Sequence, residues 1–325
     1  MSTTAPQRAI PLADIRDAAT AVYRAAIRTP LVRIELPDGP ELYLKLETLQ
    51  PIGSFKIRGA FNVVRQLPPE ALRDGVWTVS AGNAAQGVAL AAREAGVPAS
   101  VLVMDPAPAT KIRAIERLGA TIVPAPFDEC WRAVESHQSD RMHGRLVHPF
   151  DDDDFISGNG TLALEVLEDL PDVDAIVAPM GGGGLLSGIG VVLRALKPEA
   201  KVYAAEPETA APLQASFDAG RASRFPNWSR TWIDGAGGQS VLESMWPLVS
   251  KWVDESIVVS IDDAAKAMRL LAERAHVIAE GAASLAVAAA LSPKLRQAGH
   301  KKIVAVVSGG NVDLSRFCQV TGSCH

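Results

Sequence analysis

The strongest constraint in this sequence is the alternation of short apolar runs with helix-length segments. Residues 76–79, 99–103, 121–123, 174–179, 201–205 and 303–307 read as strands. Segments 84–95, 110–118, 160–170 and 185–196 read as helices from their composition and apolar spacing. Parallel strands cannot be joined by a tight turn, so units of this length predict parallel sheets with crossover helices, an α/β fold. Further helices are expected over 12–27, where Ile15, Ala18, Ala19, Val22 and Ala26 form a stripe that Thr29-Pro30 ends, and over 264–279 and 282–291. Residues 41–46 alternate as a short strand, 221–238 form a long irregular loop, and the acidic run 151–154 is expected to be a solvated turn.

At 325 residues, 48% hydrophobic and 21% charged, the chain is sized for about two domains. A formal net charge of −5 provides no basic footprint for nucleic acid. Residues 1–17 lack a basic stretch followed by an apolar core, so no signal peptide is expected. The longest apolar run, 285–291, is too short to cross a bilayer. Cys130, Cys318 and Cys324 make an odd set without a C-x-x-C pair, which predicts free thiols in a cytoplasmic protein.

Within this framework one lysine and three loops carry chemistry. Lys56 lies between Phe55 and Ile57, behind a Gly53-Ser54 turn or N-cap and at the start of a helix expected over 57–64. The positive end of the helix dipole and the apolar flanks both favour a neutral, nucleophilic amine, as a Schiff-base lysine requires. Taken alone, a lysine in such a stretch reads far more often as an ordinary surface lysine, and the other loops must decide. The run Gly181, Gly182, Gly183 and Gly184 joins a strand to a helix, where unobstructed amides form a phosphate cradle. With Glu206 ending the next strand ~20 residues on, this run fits a dinucleotide or a monophosphate cofactor about equally. The loop Ser80, Ala81, Gly82 and Asn83 either caps the following helix or holds a carboxylate or a ring hydroxyl. Ser308 ends an apolar strand before Gly309, Gly310 and Asn311, where strand carboxyl ends face a ligand crevice.

Taken together and in this order, Gly-Ser-Phe-Lys-Ile-Arg-Gly-Ala around Lys56, Ser-Ala-Gly-Asn followed by Gln86-Gly87, the four glycines and Ser-Gly-Gly-Asn resemble the fold-type II pyridoxal-phosphate enzymes. The resemblance is to the serine/threonine ammonia-lyases (threonine dehydratases) among them, from about Ile27 to Asp313. It implies a two-domain fold like the tryptophan synthase β subunit, with the cofactor between a large domain, 1–70 and 151–325, and a small inserted domain, 71–150. It further implies pyridoxal 5'-phosphate bound covalently at Lys56, beside Phe55, with its phosphate on Gly181 to Gly184 and Leu185. Asn83 would meet the ring hydroxyl, Ser308 the ring nitrogen, and Ser80 to Asn83 the substrate carboxylate. The implied reaction is β-elimination of a hydroxy amino acid to a 2-oxo acid and ammonia. Lys56 takes the α-proton, and the cofactor phosphate is the acid for the leaving hydroxyl. A homodimer or homotetramer is implied, with no nucleic-acid or membrane partner.

This chain departs from the family at several positions. Ala81 stands where the family's serine racemases carry a serine, which argues against racemisation. Ala84 replaces a common histidine, and Gly158-Asn159-Gly160-Thr161 replaces Gly-Gln-Gly-Thr. Glu206 and Ala210 match a divalent-cation site of some relatives, but Pro212 takes the place of its second acid, so no metal is expected. Glu280, ahead of Gly281, is placed equally well near the cofactor or in solvent. No carboxy-terminal regulatory domain, and hence no allosteric control by isoleucine, is expected. The alternatives are a lyase for another 3-hydroxy amino acid (3-hydroxyaspartate, phenylserine or a hydroxylated osmolyte breakdown product), a serine racemase, and an NAD- or pyridoxal-phosphate-binding protein without turnover.

Overall fold

The computed structural model describes residues 8–36 and 38–322. Ten strands form two sheets: β1 (Leu31–Ile34), β2 (Glu41–Leu46), β3 (Val76–Val79), β4 (Ala99–Met104), β5 (Thr121–Ala125), β6 (Arg145–Leu146), β7 (Ala175–Pro179), β8 (Lys201–Pro207), β9 (Glu255–Val259) and β10 (Lys302–Val307). The six-stranded sheet runs β1-β2-β10-β7-β8-β9 and the four-stranded sheet β5-β4-β3-β6. Among the strand pairs of the described residues, the edge pair β1–β2 is antiparallel and the others are parallel. The α/β class expected from the alternation is therefore the observed one.

In the large sheet both faces are covered, as parallel sheets require. Ile176 and Ala178 of β7 and Val304 and Val306 of β10 join one apolar cluster with the helix Gly184–Leu196. Their sequence neighbours Ala175, Val177, Ile303 and Ala305 join a second cluster with the helix Gly281–Ala290. A third cluster unites the helices Lys56–Gln66 and Asn83–Ala95 with the inner face of the small sheet. Because β7 and β10 are neighbours, Gly181 and Ser308 leave adjacent strands at the same edge.

Several local expectations change. The first helix stops at Ala21 and continues only as a short 3-10 turn, and the helix expected over 264–279 spans Ile261–Leu270 followed by a π turn, Leu271–Ala275. His276 then adopts a left-handed conformation, φ 56°, that ends it. The Lys56 helix begins at Lys56 itself with no side-chain cap, and Gly53 supplies a turn at φ 68°.

The acidic run is not a solvated turn. Asp151 is 5% exposed and bonded to Arg8 and to Ser244 Oγ (2.6 Å), while Asp152 caps the helix Asp153–Asp169 through Phe155 N (2.9 Å). That helix starts well before the 160 expected from composition, because a side-chain cap and acidic first turn suit its N-terminus. Cys130 is a buried free thiol, but Cys318 is disulfide-bonded, and Cys324 lies outside the described residues. Cysteine count and spacing alone do not decide which thiols stay free.

Candidate active site

Lys56 is the first residue of its helix, and its Nζ donates to the Pro149 carbonyl at 2.5 Å. Phe55 and Phe155 place their rings 5.2 Å from it. Burial lowers the amine to about 8, and the charge of Glu280 raises it again in part. Two aromatic faces attract the ammonium, but desolvation wins.

Gly181 to Gly184 follow β7 and open the helix Gly184–Leu196. A Cβ at Gly182 would fall 2.1 Å from the Phe150 ring, and one at Gly184 would fall 2.7 Å from the Phe150 carbonyl. Gly183, at φ 91°, would drive a Cβ to 2.5 Å from Val249. Among the described residues, the amides of Gly181 to Leu185 donate to no protein acceptor. A side-chain-free turn with unpaired amides at a helix start is an anion cradle. Phe150, one residue beyond the acceptor of Lys56 Nζ, lies against it, so the lysine and the glycines share one site.

Asn83 starts the helix Asn83–Ala95 after the small sheet's β3. Its Nδ2 donates to Glu280 Oε1 at 2.7 Å and its Oδ1 accepts from Asn311 Nδ2 at 2.7 Å. Ser80 Oγ accepts from Gly82 N at 3.0 Å, while the amides of Asn83 and Ala84 remain unpaired among the described residues. Ala81 brings no hydrogen-bonding side chain. Ser308 is 2% exposed, and its carbonyl accepts from Phe55 N at 3.1 Å, which joins the end of β10 to the lysine segment.

Glu280, left undecided by the sequence, belongs here. Its backbone amide donates to Gly309 O at 3.0 Å, and a Cβ at Gly309 would strike its Oε1 at 2.6 Å. Burial raises this carboxyl to about 7 against the lowering effect of the Asn83 bond. The contacts of Asn311, Pro149 and Phe155 likewise have no signal in the sequence, since their partners are remote in the chain. Glu206 lies elsewhere: its oxygens accept from Leu213 N, Gln214 N and Ser256 Oγ, so it caps the helix Pro212–Ala219. Gly158 and Gly160 let the helix Asp153–Asp169 approach Arg58 and Gly188.

A helix-borne lysine of lowered pKa, a side-chain-free anion cradle and a buried polar network thus meet at the carboxyl edges of two largely parallel sheets. The chain belongs to the pyridoxal-phosphate dependent enzymes, whose family pattern matches residues 22–309, and it is a fold-type II member of the threonine dehydratase group. It is 42% identical to an L-threonine ammonia-lyase of Thermotoga maritima over 96% of this chain and 78% of that protein. It is 37% identical to an L-threo-3-hydroxyaspartate ammonia-lyase of Saccharomyces cerevisiae over 94% of each. The solved structure of maize serine racemase superposes with a TM-score of 0.89 at 35% identity, over 96% of this chain and 97% of that one.

The residues present fit pyridoxal 5'-phosphate, the cofactor of the family. The unpaired amides of Gly181 to Leu185 suit a phosphate, and the lowered amine of Lys56 suits a carbonyl partner. The chain is thus a member of a carbon–nitrogen lyase family that also includes racemases. Among the described residues no helix is long and apolar enough to cross a membrane.

Proposed function

We propose that this protein converts L-threonine, L-serine or both to a 2-oxo acid and ammonia. Water leaves across the α and β carbons and is taken up again when the amino group is released, so the net products are the oxo acid and ammonium. The observation that carries this reading is the tuned amine of Lys56, at about 8, with no acid–base side chain at position 81. The cofactor supplies, when bound, a conjugated system that spreads the charge left on the α carbon.

The protein's own residues divide the remaining work. Lys56 Nζ would serve as the base for the α-proton, and the Phe55 and Phe155 rings exclude water from it. Gly181 to Gly184 and Leu185 are assigned to the cofactor phosphate, Asn83 to the ring hydroxyl and Ser308 to the ring nitrogen. A serine hydroxyl shares a hydrogen bond without delivering a permanent proton, which favours prompt loss of the β-hydroxyl over reprotonation of the α carbon. Ser80, Ala81, Gly82 and Asn83 are assigned to the substrate carboxylate, supported by the free amides at the helix start. We take 71–150 as the smaller domain, since its four strands pair only with one another. The family resemblance further supports a cytoplasmic homodimer or homotetramer.

The test is to incubate the purified protein with each amino acid and score 2-oxo acid and ammonia, with Lys56→Ala alongside. Product from the wild type and none from the variant is expected; substantial turnover by Lys56→Ala would overturn the assignment of the base. A second reading, elimination from 3-hydroxyaspartate, is supported by the yeast relative and is separated by adding that substrate to the same panel.

A further inference from the structure

The His148-Pro149-Phe150 segment of the site is held in shape by contacts that lie outside it. His148 is 2% exposed. Its Nδ1 accepts from Asp151 N at 2.7 Å and, at the longer distance of 3.4 Å, from Phe150 N. A nitrogen that accepts from a backbone amide carries no proton, so the ring proton is on Nε2, which lies 3.1 Å from Val134 O and donates to it. Burial is the main cause that lowers this imidazole to about 4, so the ring is neutral at physiological pH. The ring also stacks on His137, with centroids 4.4 Å apart, and meets the edge of Phe150 at 4.7 Å.

This arrangement is a side-chain-closed turn of the kind Asp and Asn make, with an imidazole nitrogen as the acceptor. The two residues it encloses are the ones that touch the cofactor anchors. Pro149 O holds Lys56 Nζ, and the Phe150 ring and carbonyl lie against Gly182 and Gly184. On the other side, Nε2 ties the turn to the helix Phe127–Ser136, which packs on the small sheet.

We propose that His148 is a positioning residue, whose Nδ1 closes the 148–151 turn and so sets the Lys56 amine against the phosphate cradle. It touches neither cofactor nor substrate. The inference rests on the reading of Lys56 as the cofactor lysine, and its test keeps the two apart.

Three variants dissect the ring. In His148→Asn the amide oxygen replaces Nδ1 as acceptor; His148→Gln reaches toward Val134 O but loses the acceptor; His148→Phe keeps only the shape. Each protein is stripped of cofactor and titrated with pyridoxal phosphate, following the absorbance of the lysine-bound form, with a thermal melt run in parallel. His148→Asn is expected to bind within about threefold of the wild type, and His148→Gln and His148→Phe about tenfold or more weakly, as loss of one buried hydrogen-bond acceptor predicts. Equal binding by folded His148→Phe overturns the proposal, as does equal loss in His148→Asn and His148→Phe. A wild type that never captures the cofactor at Lys56 overturns the site assignment itself.

Should the variants fail to fold, 15N NMR of histidine-labelled wild type decides. The proposal requires one neutral imidazole protonated on Nε2 from pH 6 to 8; a His148 ring protonated on Nδ1 overturns it.

Discussion

Asn83 and Glu280 are 197 positions apart in the chain and 2.7 Å apart in the structure. The bond joins the first helix residue beyond the small sheet to the residue that precedes the Gly281–Ala290 helix of the large one. It also puts a carboxyl raised to about 7 near an amine lowered to about 8. The two shifts share one main cause, since burial disfavours the charged form of each.

Glu280→Gln keeps an acceptor for Asn83 but removes the titration. A carboxyl whose folded pKa is raised contributes stability below its ordinary pKa of 4.5, and loses that contribution as pH climbs through about 7. The cofactor-free variant should therefore gain on the wild type between pH 4.5 and 7, by about 1–3 kcal/mol. Thermal or denaturant unfolding of both proteins at the two ends of that range measures the difference. Without the Glu280 charge, the Lys56 amine should also titrate below about 8, read from the pH dependence of cofactor capture.

Gly182→Ala tests the cradle. The added methyl falls 2.1 Å from the Phe150 ring, and a contact that short must displace the ring or the loop. Overpacking of this kind costs about 1–3 kcal/mol in stability. Because Phe150 follows the acceptor of Lys56 Nζ, pyridoxal-phosphate affinity should fall by about tenfold or more. Equilibrium dialysis against the cofactor checks this; an unchanged affinity would show that the glycines are not its phosphate site.

How much of this was legible in the sequence follows from the range of each interaction. The lysine, the glycine run and the serine that ends β10 each announce themselves through immediate neighbours, and strand alternation places their loops at sheet edges. Glu280 has no local signal, because its partners Asn83 and Gly309 arrive through the fold. The acidic run 151–154 misleads for the same reason. Its solvation is displaced by Arg8, far away in the chain, and by Ser244, whose hydrogen bonds outweigh the effect of burial and hold Asp151 below the usual carboxylate range. The helix ends misplaced near 21–27 and 271–279 are set by 3-10 and π turns that apolar spacing does not resolve.

Ala81→Ser addresses the choice between elimination and racemisation. Position 81 lies in the loop that leads from β3 to Asn83, and the family resemblance implies that serine racemases carry a serine there. Restoring the hydroxyl should yield measurable D-serine from L-serine while the ammonia rate falls less than about tenfold. Chiral chromatography of the amino acid recovered after incubation gives the result. Unchanged chirality would remove Ala81 as the reason for expecting a lyase.

The last prediction concerns the lysine's own helix. Arg58, two residues beyond Lys56, is fully buried between Glu47 and Glu165, donating to Glu47 at 2.8 Å and to Glu165 at 2.6 Å. Lys45, also fully buried, pairs with the same Glu165 at 2.5 Å. Both carboxylates would be costly to bury alone, and Arg58 makes their charge tolerable while fixing the rotation of the helix that begins with Lys56. Arg58→Met fills similar space but leaves Glu47 without its cation, so stability should fall by about 3–5 kcal/mol. Arg58→Lys keeps the charge without the fork and should recover only part of that loss. Urea unfolding monitored by fluorescence gives both values. If Arg58→Met were as stable as the wild type, the quartet would not be what orients the Lys56 helix.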